Sequence, residues 1–378
     1  MTAPDADKSG EEFDEEEVPP DPSITRELFL QWRSPRLGSS NPEPMNNPVW
    51  EWLVKSRINA YQATLHFDGP SACDAGPGWC FDRFGQSSTQ LPDGRVVLIA
   101  GEHEDFYDSD FYIYNDVVVK HPDGQVEIFG YPRDVFPPTD FHSATLVGNR
   151  VVIIGNLAYR EQRKPGTTPV LVLELETLAV SAVETCGTPP GWIHKHVACL
   201  SEDGASFIVQ RGLLDRGTSG EPLVENIDDW KLHIADWQWE RLTDRRWQRW
   251  NVLRSDRHQN HLWEMQNAVR YGTVGLQKDL DEKMEALGKK LGIRPDLDQV
   301  ADLFRPPIPH EEMPEVQGGY RIFRIKVDGV VIRYVVDSHS IQLTVEGDLA
   351  QATVEVITSD LIRKMSALEN TNFVLKQI

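Results

Sequence analysis

Three segments of the chain set polar and apolar runs in the same order. Residues 85–101, 141–155 and 195–212 each start on a polar or histidine residue, cross a short strand pattern and a tight turn, and end in an apolar run closed by glycine. Short apolar runs rich in β-branched residues and bounded by turn formers predict buried strands. Their return at a period of about 55 residues predicts one sheet-forming unit used three times. Each unit then carries a second hairpin: residues 111–119 with 125–129 across Asp123-Gly124, 169–175 with 179–183, and 229–235 with 238–242. Four strands per unit, followed by a Gly- and Pro-rich step, is the pattern of a propeller blade.

The unit starts at residues 141–145 and 194–198, the strand-end glycines, and the closing segments 226–230 and 237–240 together resemble the kelch family of β-propellers. Residues 77–84 and 190–192, which carry Pro-Gly-Trp before a strand, also resemble uncharacterised bacterial kelch-like proteins. The resemblance covers about residues 76–245 and implies a mainly β chain with a small or incomplete propeller. Kelch blades usually close their second strand with Gly-Gly, whereas here the pairs are Ala100-Gly101, Gly155-Asn156 and Arg211-Gly212. Three units are also fewer than the roughly four blades of the smallest closed rings. A fourth, degenerate blade is therefore expected from residues 247–253 and 261–265, with the ring closed by a strand at residues 61–67. Kelch enzymes that use copper need paired Tyr and His ligands and a cross-linked cysteine. That arrangement is not reproduced here, so oxidase chemistry is not expected.

Outside the units the pattern changes. Residues 1–45 combine acidic and proline-rich stretches with few apolar anchors, which predicts an acidic disordered tail broken by a short helix at 23–32 capped by Ser23 or Thr25. Residues 47–56 read as a helix opened by Pro48. All eleven tryptophans and all four cysteines lie at or before Trp263, which places a boundary near residue 268 between repeats at 46–268 and an α+β domain at 269–378. That domain is read as helices at 276–291 and 296–304, a hairpin turning at Asp328-Gly329, strands at 340–345 and 353–357, a helix at 360–368 and a last strand at 373–377. It is expected to dock or to pair copies of the chain.

Charge changes the picture next. The 59 acidic and 38 basic residues give a formal charge of −21, and residues 1–22 hold nine acids against Lys8, leaving −13 for the rest. Such a surface disfavours phosphate backbones and favours encounter with a basic protein. No nucleic-acid contact is expected, nor a membrane span, because no window approaches 18 apolar residues. The amino-terminal acids do not suit a signal peptide, so a cytoplasmic protein is expected. Cys73, Cys80, Cys186 and Cys199 show neither disulfide-framework nor metal spacing and are expected as reduced, buried thiols.

Three sets of residues are candidates for chemistry. His142 and His196 occupy matching repeat positions, with Gln86 as their counterpart in the first unit; repeat symmetry would let them line one opening with His194. The competing reading, favoured by the small polar residues beside them, is a histidine that bonds the neighbouring blade. Glu102, His103, Glu104, Asp105, Asp108 and Asp110 fall within nine residues and offer ligands to a divalent metal, or an acid and a base, although they match no calcium or zinc motif. Trp79 and Trp192 follow Pro-Gly in equivalent loops, as binding anchors if exposed or as packing between blades if buried. The basic run at 159–164 grips an anion or is simply solvated. No phosphate-cradling loop, nucleophile elbow or His-Glu-x-x-His motif occurs.

The expected function is thus a non-catalytic protein-binding scaffold without cofactor, in its specific form an inhibitor or immunity-type protein for a basic partner. The alternatives are a metal-dependent hydrolase, lyase or sugar isomerase using residues 102–105 with His142 and His196, and a carbohydrate-binding module.

Overall fold

The computed structural model describes residues 23–103, 110–217, 223–271, 277–314 and 322–378. The chain is mainly β, with several antiparallel sheets and a few helices. It divides into two compact units between Thr243 and Asp244, earlier than the boundary expected near residue 268.

The amino-terminal unit opens with α1 (Arg26–Trp32), β1 (Glu43–Pro44), α2 (Pro48–Ser56), α3 (Ala60–His66) and α4 (Ala72–Ala75). Thr25 caps α1, its hydroxyl accepting from the Leu28 N–H at 3.2 Å, and Asn47 caps α2 ahead of Pro48. Of the expected disordered tail, residues 1–22 lie outside the described residues, but 23–45 are built into the fold. Phe29 stacks on Phe67 at 4.8 Å, and Met45 is buried beside β1. A few large apolar side chains suffice there because α2 and α3 supply their partners.

The strand expected at 61–67 is instead α3. Asn59 and Gln62 form a reciprocal capping box, which satisfies the first N–H groups of a helix and favours it over the alternating pattern read from the apolar positions.

Three antiparallel meanders follow. The first is β2 (Ser87–Gln90) and β3 (Val96–Ile99), then the short pair β4 (Glu102–His103) and β5 (Tyr112–Ile113), then β6 (Val117–Lys120) and β7 (Val126–Gly130), to which β1 adds an edge. The second is β8 (Ser143–Val147), β9 (Arg150–Ile154), β10 (Val170–Glu174) and β11 (Val180–Ala182). After β12 (Cys186–Gly187) and β13 (Trp192–His194), the third contains β14 (Val197–Leu200) and β15 (Ser206–Gln210). Between its two halves lie β16 (Leu213–Asp215) and β17 (Val224–Glu225), which join β13 in a small sheet. The third meander ends in β18 (Trp230–His233) and β19 (Gln238–Arg241), and β12 lies parallel to β19. All four strands expected in each unit are present, and the first strands β2, β8 and β14 lie beside one another.

The alternation of side chains explains how the three sheets stack. In the first sheet, Leu98, Val118 and Ile128 pack under the helices with Trp50 and Phe67, while Val97, Val117 and Val119 face the second sheet. In the second, Val151, Ile153 and Leu173 face back, while Val152, Ile154 and Val172 face the third. In the third, Phe207, Val209, Trp230, Leu232 and Trp239 join a core, with Ala198 packed against it. The alternate positions Gln210, Lys231, His233, Gln238 and Glu240 lie on the far side with the exposed Val197 and Cys199 and the half-buried Ile208, so that face is mostly polar. Helices thus cover one end of the row and polar side chains finish the other, as terminal repeats require.

The carboxyl-terminal unit is one six-stranded antiparallel sheet packed with helices. Its elements are β20 (Gln248–Arg254), α5 (Leu262–Tyr271), α6 (Gln277–Leu291), α7 (Leu297–Ala301), β21 (Glu311–Glu312), β22 (Ile322–Val327), β23 (Val330–Val336), β24 (Ser340–Val345), α8 (Gln351–Glu369) and β25 (Phe373–Gln377). Residues 247–253, expected to found a fourth blade, supply β20, which pairs with β24 on one side and β25 on the other; residues 261–265 open α5. The Asp328-Gly329 hairpin is as expected, with both residues at positive φ, 49° and 80°. The strand expected at 353–357 is the start of α8. Val354, Ile357, Leu361, Met365 and Leu368 recur at three- and four-residue steps and enter one core, so helical period overrides local β-branched content.

Candidate functional site

The recurring positions of the three units define the candidate site. Gly85, Phe141 and Lys195, each just before the repeat residue, all take positive φ, at 64°, 49° and 53°. They are joined from unit to unit by backbone bonds: Phe141 N–H donates to Gly85 O at 3.0 Å and Lys195 N–H to Phe141 O at 2.8 Å. This fixes where the next residue of each unit points.

His142 Nε2 lies 2.8 Å from Ser87 Oγ, and His196 Nε2 lies 2.9 Å from Ser143 Oγ. Each imidazole therefore clamps its own unit to the first strand of the preceding one. Gln86 has no preceding unit and turns back to donate to Ala100 O at 3.3 Å. The glycine ending β9 makes room for this: a Cβ on Gly155 would lie 2.5 Å from His196 Cε1, and its φ is 74°. Burial holds both imidazoles neutral, pushing the pKa of His142 down to about 3 and that of His196 to about 4. The shared opening expected for His142, His194 and His196 is not formed by the first and third of these, because each ring is engaged by a different serine.

Two residues before each repeat position stand Phe84, Asp140 and His194. Asp140 is wholly buried, its Oδ1 accepting from the Ala158 N–H at 2.7 Å while Oδ2 has no partner. Burial raises its pKa to about 6 against the opposing pull of Arg163 and Lys195. His194 is 1 % exposed, with Nδ1 unpartnered, and burial together with the same two cations lowers its pKa to about 3. Arg163 is held by Asp215 at 3.1 Å and by Ala158 O. Sequence reasoning named His194 but missed Asp140, although the repeat register aligns the two.

The connections between second and third strands lie side by side near these groups. The Tyr159 hydroxyl accepts from the Ile113 N–H at 2.9 Å, and the Phe111 and Tyr159 rings meet edge to face. Arg163 joins the second connection to Asp215 of the third. Within the basic run, Arg163 is thus engaged, whereas Arg160 and Lys164 are exposed.

The acid-rich segment is only partly described. Glu102 and His103 form β4, and His103 is buried with Nδ1 3.2 Å from Asp82 O. Asp110 has a buried, unpartnered Oδ1, and Glu104, Asp105 and Asp108 lie outside the described residues. Among the described residues no three His, Cys, Asp or Glu side chains are grouped to hold a metal ion. His103 and Asp110 instead line a groove of about 640 Å3 along α3, where Tyr61 and Leu65 are exposed.

Trp79 and Trp192 are not exposed anchors. Trp79 stacks on Trp50 at 4.9 Å and donates to Asp116 Oδ2 at 2.8 Å. Trp192 donates to Leu157 O at 3.1 Å and is 6 % exposed. Their apolar bodies fill space between elements and the indole N–H finds a buried acceptor. Next to Trp79 the Arg83 guanidinium lies 3.4 Å over the Tyr114 ring and bonds Asp116 at 3.0 Å, a buried knot that the sequence pattern did not single out. No cysteine is in a disulfide, and only Cys80 is buried; Cys73, Cys186 and Cys199 are exposed, against expectation.

No protein-family model and no curated protein matches this chain. Among the described residues no helix is long and apolar enough to cross a membrane.

Proposed function

We propose that residues 76–243 are a kelch-like row of three blades, an incomplete propeller, that works as a non-catalytic scaffold for a basic protein partner. The observation that carries the reading is the use of the repeat histidines as clamps between sheets, which leaves them neutral and engaged rather than open to a substrate. The connections locked together by Tyr159 and Arg163 offer a shaped surface at the same end of the sheets. The charge of −21 would speed encounter with a cationic partner and suits an inhibitor or immunity-type role. The test is capture on immobilised full-length chain, followed by association kinetics of the captured protein at rising salt. A partner of high isoelectric point whose association slows with salt supports the reading; an association rate indifferent to salt, or turnover of a small substrate by the pure chain, overturns it.

A second reading has its own observation. Asp140 and His194 stand at equivalent repeat positions, both buried with pKa values shifted chiefly by burial and both within reach of Arg163 and Lys195; buried groups shifted in this way cluster at active sites. This reading differs from the metal-dependent hydrolase, lyase or sugar isomerase expected from residues 102–105 with His142 and His196, because it calls on neither those residues nor a metal. Elemental mass spectrometry of the purified protein separates the metal-dependent form from it. The carbohydrate-binding alternative is supported least, since every tryptophan is buried or half-buried.

A further inference from the structure

The carboxyl-terminal unit holds a cavity of about 500 Å3 with a lining opposite in sign to the chain as a whole. Arg254, Arg257 and Lys290 line it together with the imidazoles of His258, His261 and His339, and among the described residues no carboxylate does. Three distant stretches bring these groups together: the segment after β20, the end of α6 and the turn between β23 and β24.

The nearest acids are already committed. Asp256 sits on the Arg254 guanidinium at 2.8 Å, and the buried Glu369 contacts the same guanidinium at 2.6 Å and accepts from the His261 N–H at 2.7 Å. These bonds hold Arg254 and the start of α5 in place behind the cavity. Among the described residues neither Arg257 nor Lys290 is in an ion pair, whereas the adjacent Lys289 pairs with Glu285 at 2.9 Å. His339 Nδ1 lies 2.9 Å from Ser338 Oγ, and His261 Nδ1 lies 3.6 Å from Glu264.

We propose that this cavity binds a small phosphorylated molecule. Its volume falls in the range of small-molecule sites. A single carboxylate is best met by one two-pronged arginine, and the fork of Arg254 is already taken. What remains is a set of separate donors, one guanidinium, one ammonium and three imidazoles, which suits a dianion with three terminal oxygens better than a planar carboxylate. Nothing in this site depends on the role proposed for the amino-terminal unit.

Inorganic pyrophosphate is the probe, titrated calorimetrically into the full-length protein beside orthophosphate and citrate. Saturable one-site binding of pyrophosphate is expected, tighter than that of citrate, with a rise in melting temperature. Because Arg257 sits at φ 62°, asparagine is its conservative neutral replacement. Arg257→Asn with Lys290→Ala should weaken binding about tenfold or more, while Lys289→Ala leaves it unchanged. Lys290→Ala alone should show part of the loss should the double variant fold poorly. Absence of saturable binding, equal affinity in folded variants, or citrate binding as tightly as pyrophosphate would overturn the proposal.

Discussion

At the scale of single residues, three buried histidines make the amino-terminal unit sensitive to acid. His142, His194 and His196 have pKa values near 3, 3 and 4 in the folded chain, against about 6.5 unfolded. Their contribution is fully present above about pH 6.5 and is lost as pH falls toward 4 and 3, because only the unfolded chain takes up the protons. Asp140 works the other way. With its pKa raised to about 6, it favours the folded state most below its unfolded value and loses that contribution as pH rises through 6. Three imidazoles outweigh one carboxylate, so the melting temperature should drop steeply between pH 6.5 and 4, measured by scanning calorimetry. His142→Gln with His196→Gln installs the residue that the first unit already uses. At neutral pH it should cost about 1 kcal/mol per lost bond, and it should flatten the acid limb. An unchanged acid limb would show that these imidazoles do not set it.

At the scale of elements, the strand-end glycines are not interchangeable with those of loops. Gly155→Ala places a methyl group against His196 and against Ile193 O, at 2.5 Å each, on a backbone at φ 74°. The expected loss is about 2 kcal/mol or more in urea unfolding. Gly166 has a similar φ of 82° but open space around it, so Gly166→Ala should cost about 1 kcal/mol. Equal losses would mean that the contact with His196 carries no weight. The same scale accounts for the elements that the pattern of apolar residues mislabelled. Residues 61–67 and 353–357 alternate well enough to read as strands, but a capping box decides the first and burial of a helical stripe the second.

At the scale of the whole molecule, the position of one strand decides where the chain can be cut. Among the described residues one core cluster lies wholly within residues 244–378, and the other three lie wholly before residue 244. Residues 244–378 expressed alone should therefore unfold cooperatively on heating. A fragment beginning at 269 lacks β20, which holds β24 and β25 in one sheet, and should show no cooperative transition. A folded 269–378 fragment would contradict the placement of β20 as a central strand.

Much of the architecture was legible in the order of residues. The three four-stranded units, the helix opened by Pro48, the Asp328-Gly329 hairpin and the helix expected at 276–291 all rest on local signals: alternation, turn chemistry and caps act between neighbours in the chain. The repeat register even aligned His142 with His196. Tertiary structure decided what those residues do. Only the stacking of sheets brings His142 to Ser87 and His196 to Ser143, buries Asp140 and His194, and turns Trp79 and Trp192 inward. Membership of β20, the helical start of α8 and the cationic cavity were likewise beyond reach, since each depends on partners far apart in the chain whose contacts form only when the chain closes on itself.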